Sequence, residues 1–355
     1  EDLNQAIESY QELIEMLSED HPFYVQSLVA LGFALVTRYE QFSHQLDLQP
    51  AIIYLESAIS RIPPNHPTLV RIYSNLGLAL DAQYFITKQL VYLQRAVDSF
   101  RAALSNLTDK DELYATISNN AGLIYLHLFR TTGILRDVDI SIEHFTHAVS
   151  AGENNNLWIT FQGNLGIAFD ERFSYSKDPA DLASATTAFL AAVKKADKGS
   201  DQWCNWTHSL GLVLLESYEL SGEESKLQSA LDAFSDGLSY AKKNSSIWAN
   251  LTNGLAMVLI RRASSQDTYS DLTSAIDALE RSLSVTQQGT DQWVHRQSNL
   301  GVAFKLRYQL QKNPLDLDRA ISAYSKSISR TREQIHRTIE TQATLGELLQ
   351  EQFEE

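Results

Sequence analysis

Cys204 and His208 stand four residues apart, so on a helix their side chains share a face, as an imidazole-activated thiol would require. His144 and His147, three apart, offer two nitrogens to a metal, but no carboxylate constellation accompanies them and zinc asks for more ligands. A solvated helix face accounts for that pair more simply. The chain has no Gly-rich phosphate loop, no His-Glu-x-x-His and no Gly-x-Ser-x-Gly. Neither an enzyme nor a cofactor or metal site is therefore expected. Asparagine is the residue that does recur. Asn75, Asn120, Asn164 and Asn299, with Ser209 in the same series, each lie two residues before a glycine. One residue earlier stand Ser74, Asn119, Gly163, His208, Asn253 and Ser298. An amide is both donor and acceptor, so such a series could read the main chain of a ligand.

The elements that position these residues are set by an internal repeat. Trp158, Trp203, Trp248 and Trp293 are 45 residues apart, and eight residues after each comes Gly166, Gly211, Ala256 or Gly301. The same small position continues outward through Gly122, Gly77 and Gly32, and on to Gly346, with one residue deleted between Gly122 and Gly166. A second register runs through Ala6, Ala51, Ala96, Ser141, Ala185, Ala230, Ala275 and Ala320. Four residues after each comes an aromatic or Leu, such as Phe100, Phe145, Phe189 and Phe234, and seven after most of them another small residue. A period of 45 marks a solenoid of stacked units. Against that period, Cys204 falls where other copies carry Val25, Val70, Ala115, Ile159, Ala249 and Val294. It reads as a small core filler rather than a nucleophile.

Each unit reads as two helices. In the seventh, Trp293, Val294, Gln297, Leu300, Gly301, Phe304 and Tyr308 recur at helical spacing, and Leu317, Ile321, Tyr324 and Ile328 do so after them. No useful alternating run is present, so the fold class is all-α. Asp47, Asp181, Asp271 and Asp316 precede a Leu near the start of second helices, where they are expected to cap free N–H groups. Arg38, Arg172, Arg262 and Arg307, six after the small position, are expected to bond the free carbonyls there and the acidic loop that follows. A small residue on one helix is expected to face an Ala of its partner, with the aromatic filling the gap beside it. Since one hairpin cannot bury its stripe alone, all 355 residues are expected to form a single continuous solenoid.

Leu76-Gly77, Leu165-Gly166, Leu210-Gly211 and Leu300-Gly301, followed by Ala96-Phe100-Ala103 or Ala185-Phe189-Ala192 and by Pro63, resemble the tetratricopeptide repeat along essentially the whole chain. That resemblance implies a right-handed α-α superhelix of about seven to eight hairpins. The 19 residues from Gly32 to Ala51 exceed the usual spacing, so helices and turn are expected to be longer. His21-Pro22 and His66-Pro67 look like the longer repeats of kinesin light chains. Arg38-Tyr39, Arg172-Phe173 and Arg307-Tyr308, with Asp-Leu before the Ala, resemble fungal repeat arrays that end in a caspase-like CHAT peptidase domain. The chain opens on a second helix and ends in a first helix, so it is read as an excised part of a longer protein. The alternative is that these unmatched helices are caps.

In such solenoids the first helices line a concave groove, which places Asn75, Asn120, Asn164 and Asn299, with Asn119, His208 and Asn253 beside them, where a peptide would lie. The resemblance thus implies a non-enzymatic scaffold that binds an extended peptide or partner domain. The alternative is a sensor or autoinhibitory region partnered by a peptidase domain of the same full-length chain. Helix-to-helix bonding of the same amides remains open. Asp170 and Glu171, with Asp81 and Glu216, would favour a basic ligand segment, although a solvated face carries such charges equally well.

Composition sets the outer limits. The formal charge of 29 − 44 = −15 argues against nucleic acid and anionic membrane as partners; Arg330, Arg332 and Arg337 do not reverse it. No apolar run approaches the ~20 residues of a membrane span. No signal peptide is visible, which points to the cytoplasm. One cysteine rules out an intrachain disulfide.

Overall fold

The computed structural model describes residues 2–266, 268–328 and 335–354, and among them every regular element is helical. Two compact units, 1–177 and 178–355, are each built of successive helical hairpins. Unit 1 contains α1 (Asp2–Met16), α2 (Pro22–Phe42), α3 (Leu48–Arg61), α4 (Thr68–Thr87), α5 (Leu90–Leu104), α6 (Tyr114–Thr132), α7 (Leu135–Ala151) and α8 (Trp158–Ser176), with a short 3-10 turn at Gln45–Asp47. Unit 2 contains α9 (Pro179–Lys195), α10 (Asp201–Ser221), α11 (Glu224–Tyr240), α12 (Ser246–Gln266), α13 (Tyr269–Ser284), α14 (Asp291–Gln311), α15 (Pro314–Ile328) and α16 (Ile335–Glu354). The even-numbered helices from α2 onward are the first helices of the sequence repeat. The basic positions Arg330 and Arg332, and the side chain of Arg337, lie outside the described residues.

Within each unit every helix packs on the next, and neighbouring first helices also touch: α2–α4, α4–α6 and α6–α8 in one, α10–α12 and α12–α14 in the other. The extra length of the repeat lies in the helices. First helices run 19–21 residues, whereas α4–α5, α6–α7, α10–α11 and α14–α15 are joined by two residues each, so the hairpin turn is tight rather than long.

That tight turn has a recurring construction. The residue ending the first helix adopts the left-handed conformation, and its N–H bonds the carbonyl of an aromatic four back: Lys88 to Tyr84, Gly133 to Phe129, Gly222 to Tyr218, Lys312 to Tyr308. A non-glycine residue pays for this conformation sterically. At Lys88 and Lys312 the ammonium lies over the same aromatic ring, 5.7 and 4.7 Å from the centroid, which offsets part of the strain.

Asp47, Asp271 and Asp316 do not serve as the expected caps but receive the expected bond from the arginines of the first helix. Asp47 makes no capping bond. The caps come from the residue before the proline instead: Asp178 accepts from the N–H of Ala180 and Asn313 from that of Leu315. Asp47, Asp271 and Asp316 are held by two-pronged pairs from the first helix of the same hairpin, nine residues upstream. Arg38, Arg262 and Arg307 each donate from Nε and Nη2 to the two carboxylate oxygens at 2.6–2.9 Å. The carboxylates are buried, so each pair clamps the turn shut.

The small and aromatic registers form the core. Ala51, Ala96, Ser141, Ala230, Ala275 and Ala320 are fully buried, as are Phe100, Phe145 and Phe234. Gly77, Gly122 and Gly211 face the rings directly, rather than an alanine, and Gly32 faces Leu55 in the same way. A Cβ on Gly77 would lie 2.5 Å from Phe100 Cε2, on Gly122 2.7 Å from Phe145 Cδ1, and on Gly211 2.6 Å from Phe234 Cζ. Each of these three is thus a socket for an aromatic, a closer fit than the spacing alone specified.

Candidate functional site

Cys204 is buried in α10, with its thiol 4.0 Å from the carbonyl oxygen of Gly237 in α11. Burial pushes its pKa up, which disfavours the thiolate a nucleophile needs. Its position has a counterpart: Ser282 donates to the Ala249 carbonyl at 2.8 Å across the same separation of 33 residues. His144 is not a solvated residue. Its ring stacks on Tyr125 at 5.5 Å, and burial, then His147, lowers its pKa. His147 is exposed, beside the Tyr114 hydroxyl. Among the described residues no three or more His, Cys, Asp or Glu side chains converge as a metal site would require.

Polar side chains concentrate where first helices touch, and many of them bridge one first helix to the next. Asn164 donates to Asn119 at 2.8 Å, from α8 to α6, and Asn299 donates to Asn253 at 3.1 Å, from α14 to α12. These rungs are built alike: the amide two before the small residue bonds the amide three before it in the preceding copy. Asn119 and Asn164 are buried, whereas Asn75, Asn120, Asn253 and Asn299 are half-buried. Asn75 donates to the Arg71 carbonyl of its own helix, and Asn120 accepts from the Asn119 amide. Helix-to-helix bonding therefore uses one edge of several amides. The NH2 of Asn120 has no partner among the described residues.

The acidic candidates are drawn into the same ladder. Arg130 on α6 grips Glu171 on α8 through both carboxylate oxygens, and the His127 ring bonds Asp81 at 2.9 Å. Arg261 pairs with Glu219, and Tyr308 and Lys312 both donate to Glu351, lowering its pKa. Asp170, half-buried, neighbours Glu171 on α8. These ion pairs were legible in type but not in pairing, because each joins residues about 40 apart.

His208 packs edge-on against Phe234, ring centroids 5.9 Å apart. Burial, then the positive charge of Arg296, lowers its pKa to about 4. The folded protein thus holds a neutral imidazole that the unfolded chain protonates near its ordinary 6.5. Its contribution is complete above about pH 6.5 and is lost as pH falls toward 4. Between pH 7 and pH 5 the wild type should lose about 2 kcal/mol that His208→Phe does not lose. Urea unfolding of both proteins at the two pH values measures this, and parallel losses would refute it.

The tryptophans close the ends of the hairpins. The Trp158 indole donates to the Val149 carbonyl at 3.1 Å, and Trp203 meets Tyr240 edge to face at 5.5 Å. Ser200, Ser245 and Thr290 accept from the N–H groups of Trp203, Trp248 and Trp293, capping those first helices.

No helix among the described residues is long and apolar enough to cross a membrane. No protein-family profile matches the chain. No curated protein matches its sequence. Among solved structures, the C-terminal part of a tetratricopeptide-repeat-containing protein from Cytophaga hutchinsonii superposes with a TM-score of 0.54 at 12% identity, covering 87% of this chain and 98% of that one. A tetratricopeptide repeat protein from Parabacteroides merdae gives 0.50 at 15% identity, covering 90% and 97%. The chain has the all-α solenoid fold of tetratricopeptide-repeat proteins.

Proposed function

We propose that the chain is a protein-interaction scaffold whose first-helix face binds an extended peptide segment of a partner. The observation that carries this reading is the amide ladder: Asn119–Asn164 and Asn253–Asn299 form rungs of one design, and Asn120 keeps its NH2 unspent beside them. Packed helices are about 10 Å apart and an extended chain rises about 3.3 Å per residue, so amides on neighbouring first helices of one unit, such as Asn75, Asn120 and Asn164 of unit 1, would meet a peptide about every third residue. Amides at that spacing pair with backbone N–H and C=O groups and leave side chains to secondary contacts. Because Glu171 and Asp81 are already paired, selection of a basic segment would rest on the remaining acidic positions and the net charge of −15.

The test starts from a peptide array that selects binders of the wild-type protein. Asn75→Ala and Asn120→Ala combined should weaken the selected peptide about tenfold, about 1.4 kcal/mol, in isothermal calorimetry with the helical circular dichroism unchanged. Unaltered affinity in the folded double variant would rule the amide face out as the peptide site.

A further inference from the structure

Arg296 occupies a position that is apolar in five of the other copies. Five residues before the small position stand Ile72, Ile117, Phe161, Trp206 and Leu251, with the neutral polar Ser27 and Thr341 in the first and last copies, and in the seventh copy that place is taken by a guanidinium. The residue is only 3% exposed, less than many apolar residues of the same unit. Its partners are both neutral: Nη1 donates to the Thr286 hydroxyl oxygen, and Nη2 to Asn250 Oδ1 at 2.6 Å. No carboxylate faces it among the described residues, in contrast to Arg262 and Arg307 in the same unit, each of which holds an aspartate. The nearby imidazole that feels its charge, His208, is neutral and cannot compensate it.

A buried cation without a counter-charge costs several kcal/mol, and every other copy avoids this with a neutral residue, isoleucine at positions 72 and 117. A guanidinium carries five N–H donors in a planar fork suited to a carboxylate or a similar anion, and two neutral acceptors leave most of that capacity and all of the charge unmatched. The Asn250 amide commits its oxygen to Arg296, and its NH2 group has no partner among the described residues. One turn further along the same two helices, Asn299 bonds Asn253, so the position adjoins the amide ladder.

We propose that unit 2 holds an anion site at Arg296, filled by a small monoanion that is either free in solution or carried as a carboxylate on a bound peptide. The site does not rest on the peptide reading, since a free anion satisfies the same chemistry.

The test compares the wild type with Arg296→Ile, which restores the residue type of positions 72 and 117, and with Arg296→Gln should the isoleucine variant fail to fold. Thermal unfolding is followed while sodium acetate, and separately sodium chloride, is raised. The wild type should gain a saturable rise of about 3 °C or more that the variant lacks, general salt effects being common to both. In a second arm, calorimetry compares capped penta-glutamate with capped penta-glutamine. Binding of the glutamate peptide at least tenfold tighter, lost with Arg296, assigns a ligand-borne carboxylate. An acetate or chloride effect without that preference assigns a free anion. If wild type and variant respond alike to both salts and both peptides, no anion site exists at Arg296.

Discussion

Replacing Arg307 with alanine should destabilise the protein by about 3–5 kcal/mol, the cost of leaving a buried carboxylate without its partner. Arg307 donates to both oxygens of Asp316, at 2.9 and 2.6 Å, and its side chain is 11% exposed against 2% for the aspartate. The equivalent pairs Arg38–Asp47 and Arg262–Asp271 are more open, so the same substitution there should cost less. The guanidinium also lies 5.4 Å from the Phe304 ring centroid and 5.8 Å from that of Tyr269, contacts that alanine forfeits as well. Lysine should recover only part of the loss, because a point charge cannot bond both oxygens in the plane of the carboxylate. Joint replacement, Arg307→Met with Asp316→Leu, should lie much closer to the wild type than either single change, since it removes both charges together. Urea unfolding followed by circular dichroism decides the matter. A loss below about 1 kcal/mol for Arg307→Ala would mean that water already solvates Asp316 and that the pair is no clamp.

The second large effect is expected at Gly77. On an exposed helix face, glycine to alanine stabilises by up to about 1 kcal/mol through backbone entropy. Here the sign should reverse. An added Cβ would fall 2.5 Å from Cε2 and 2.7 Å from Cδ2 of Phe100, a ring that is 1% exposed and packed on all sides. Ring or helix must move, and overpacking of this kind costs about 1–3 kcal/mol for alanine, with valine at or beyond the upper end. The companion variant Phe100→Leu, which trims the ring, should relieve part of the clash and yield a non-additive pair. Thermal melts of the two single variants and the double variant check this. Stabilisation by Gly77→Ala would show that the socket has slack.

Both effects belong to residues whose type and spacing stand plainly in the sequence; an arginine bond to the acidic turn is expected there too, whereas its two-pronged geometry and the pairing of Gly77 with Phe100 are not. The 45-residue period fixed the helices, the all-α class and the burial of the Ala and Phe registers, because those depend on which face of a helix is apolar. That Gly77 receives Phe100 rather than an alanine follows from the crossing of two helices, and a spacing of 23 residues does not encode it. For Asp47, Asp271 and Asp316 the expected capping role gives way to the bond that the arginines were expected to make to the acidic turn. A carboxylate at a helix start can cap it or turn back to a cation, and the bidentate geometry of Arg38, Arg262 and Arg307 chose the latter.

The candidate site divides along the same line. Sequence alone determined that Asn75, Asn120, Asn164 and Asn299 share one register, and that Cys204 fills a position held elsewhere by valine or alanine. Tertiary structure decided which amides bond each other. It also committed Glu171 to Arg130 and Asp81 to His127. Arg296 shows the difference most plainly. As a residue it is an ordinary charge on a predicted helix; against the repeat it takes a place that is apolar in five other copies; but only the packing of α12, α14 and the turn between α13 and α14 leaves it buried between two neutral oxygens. Local periodicity specifies which side of a helix faces inward. The identity of what it meets there depends on contacts between residues about 45 apart, which one helix alone cannot express.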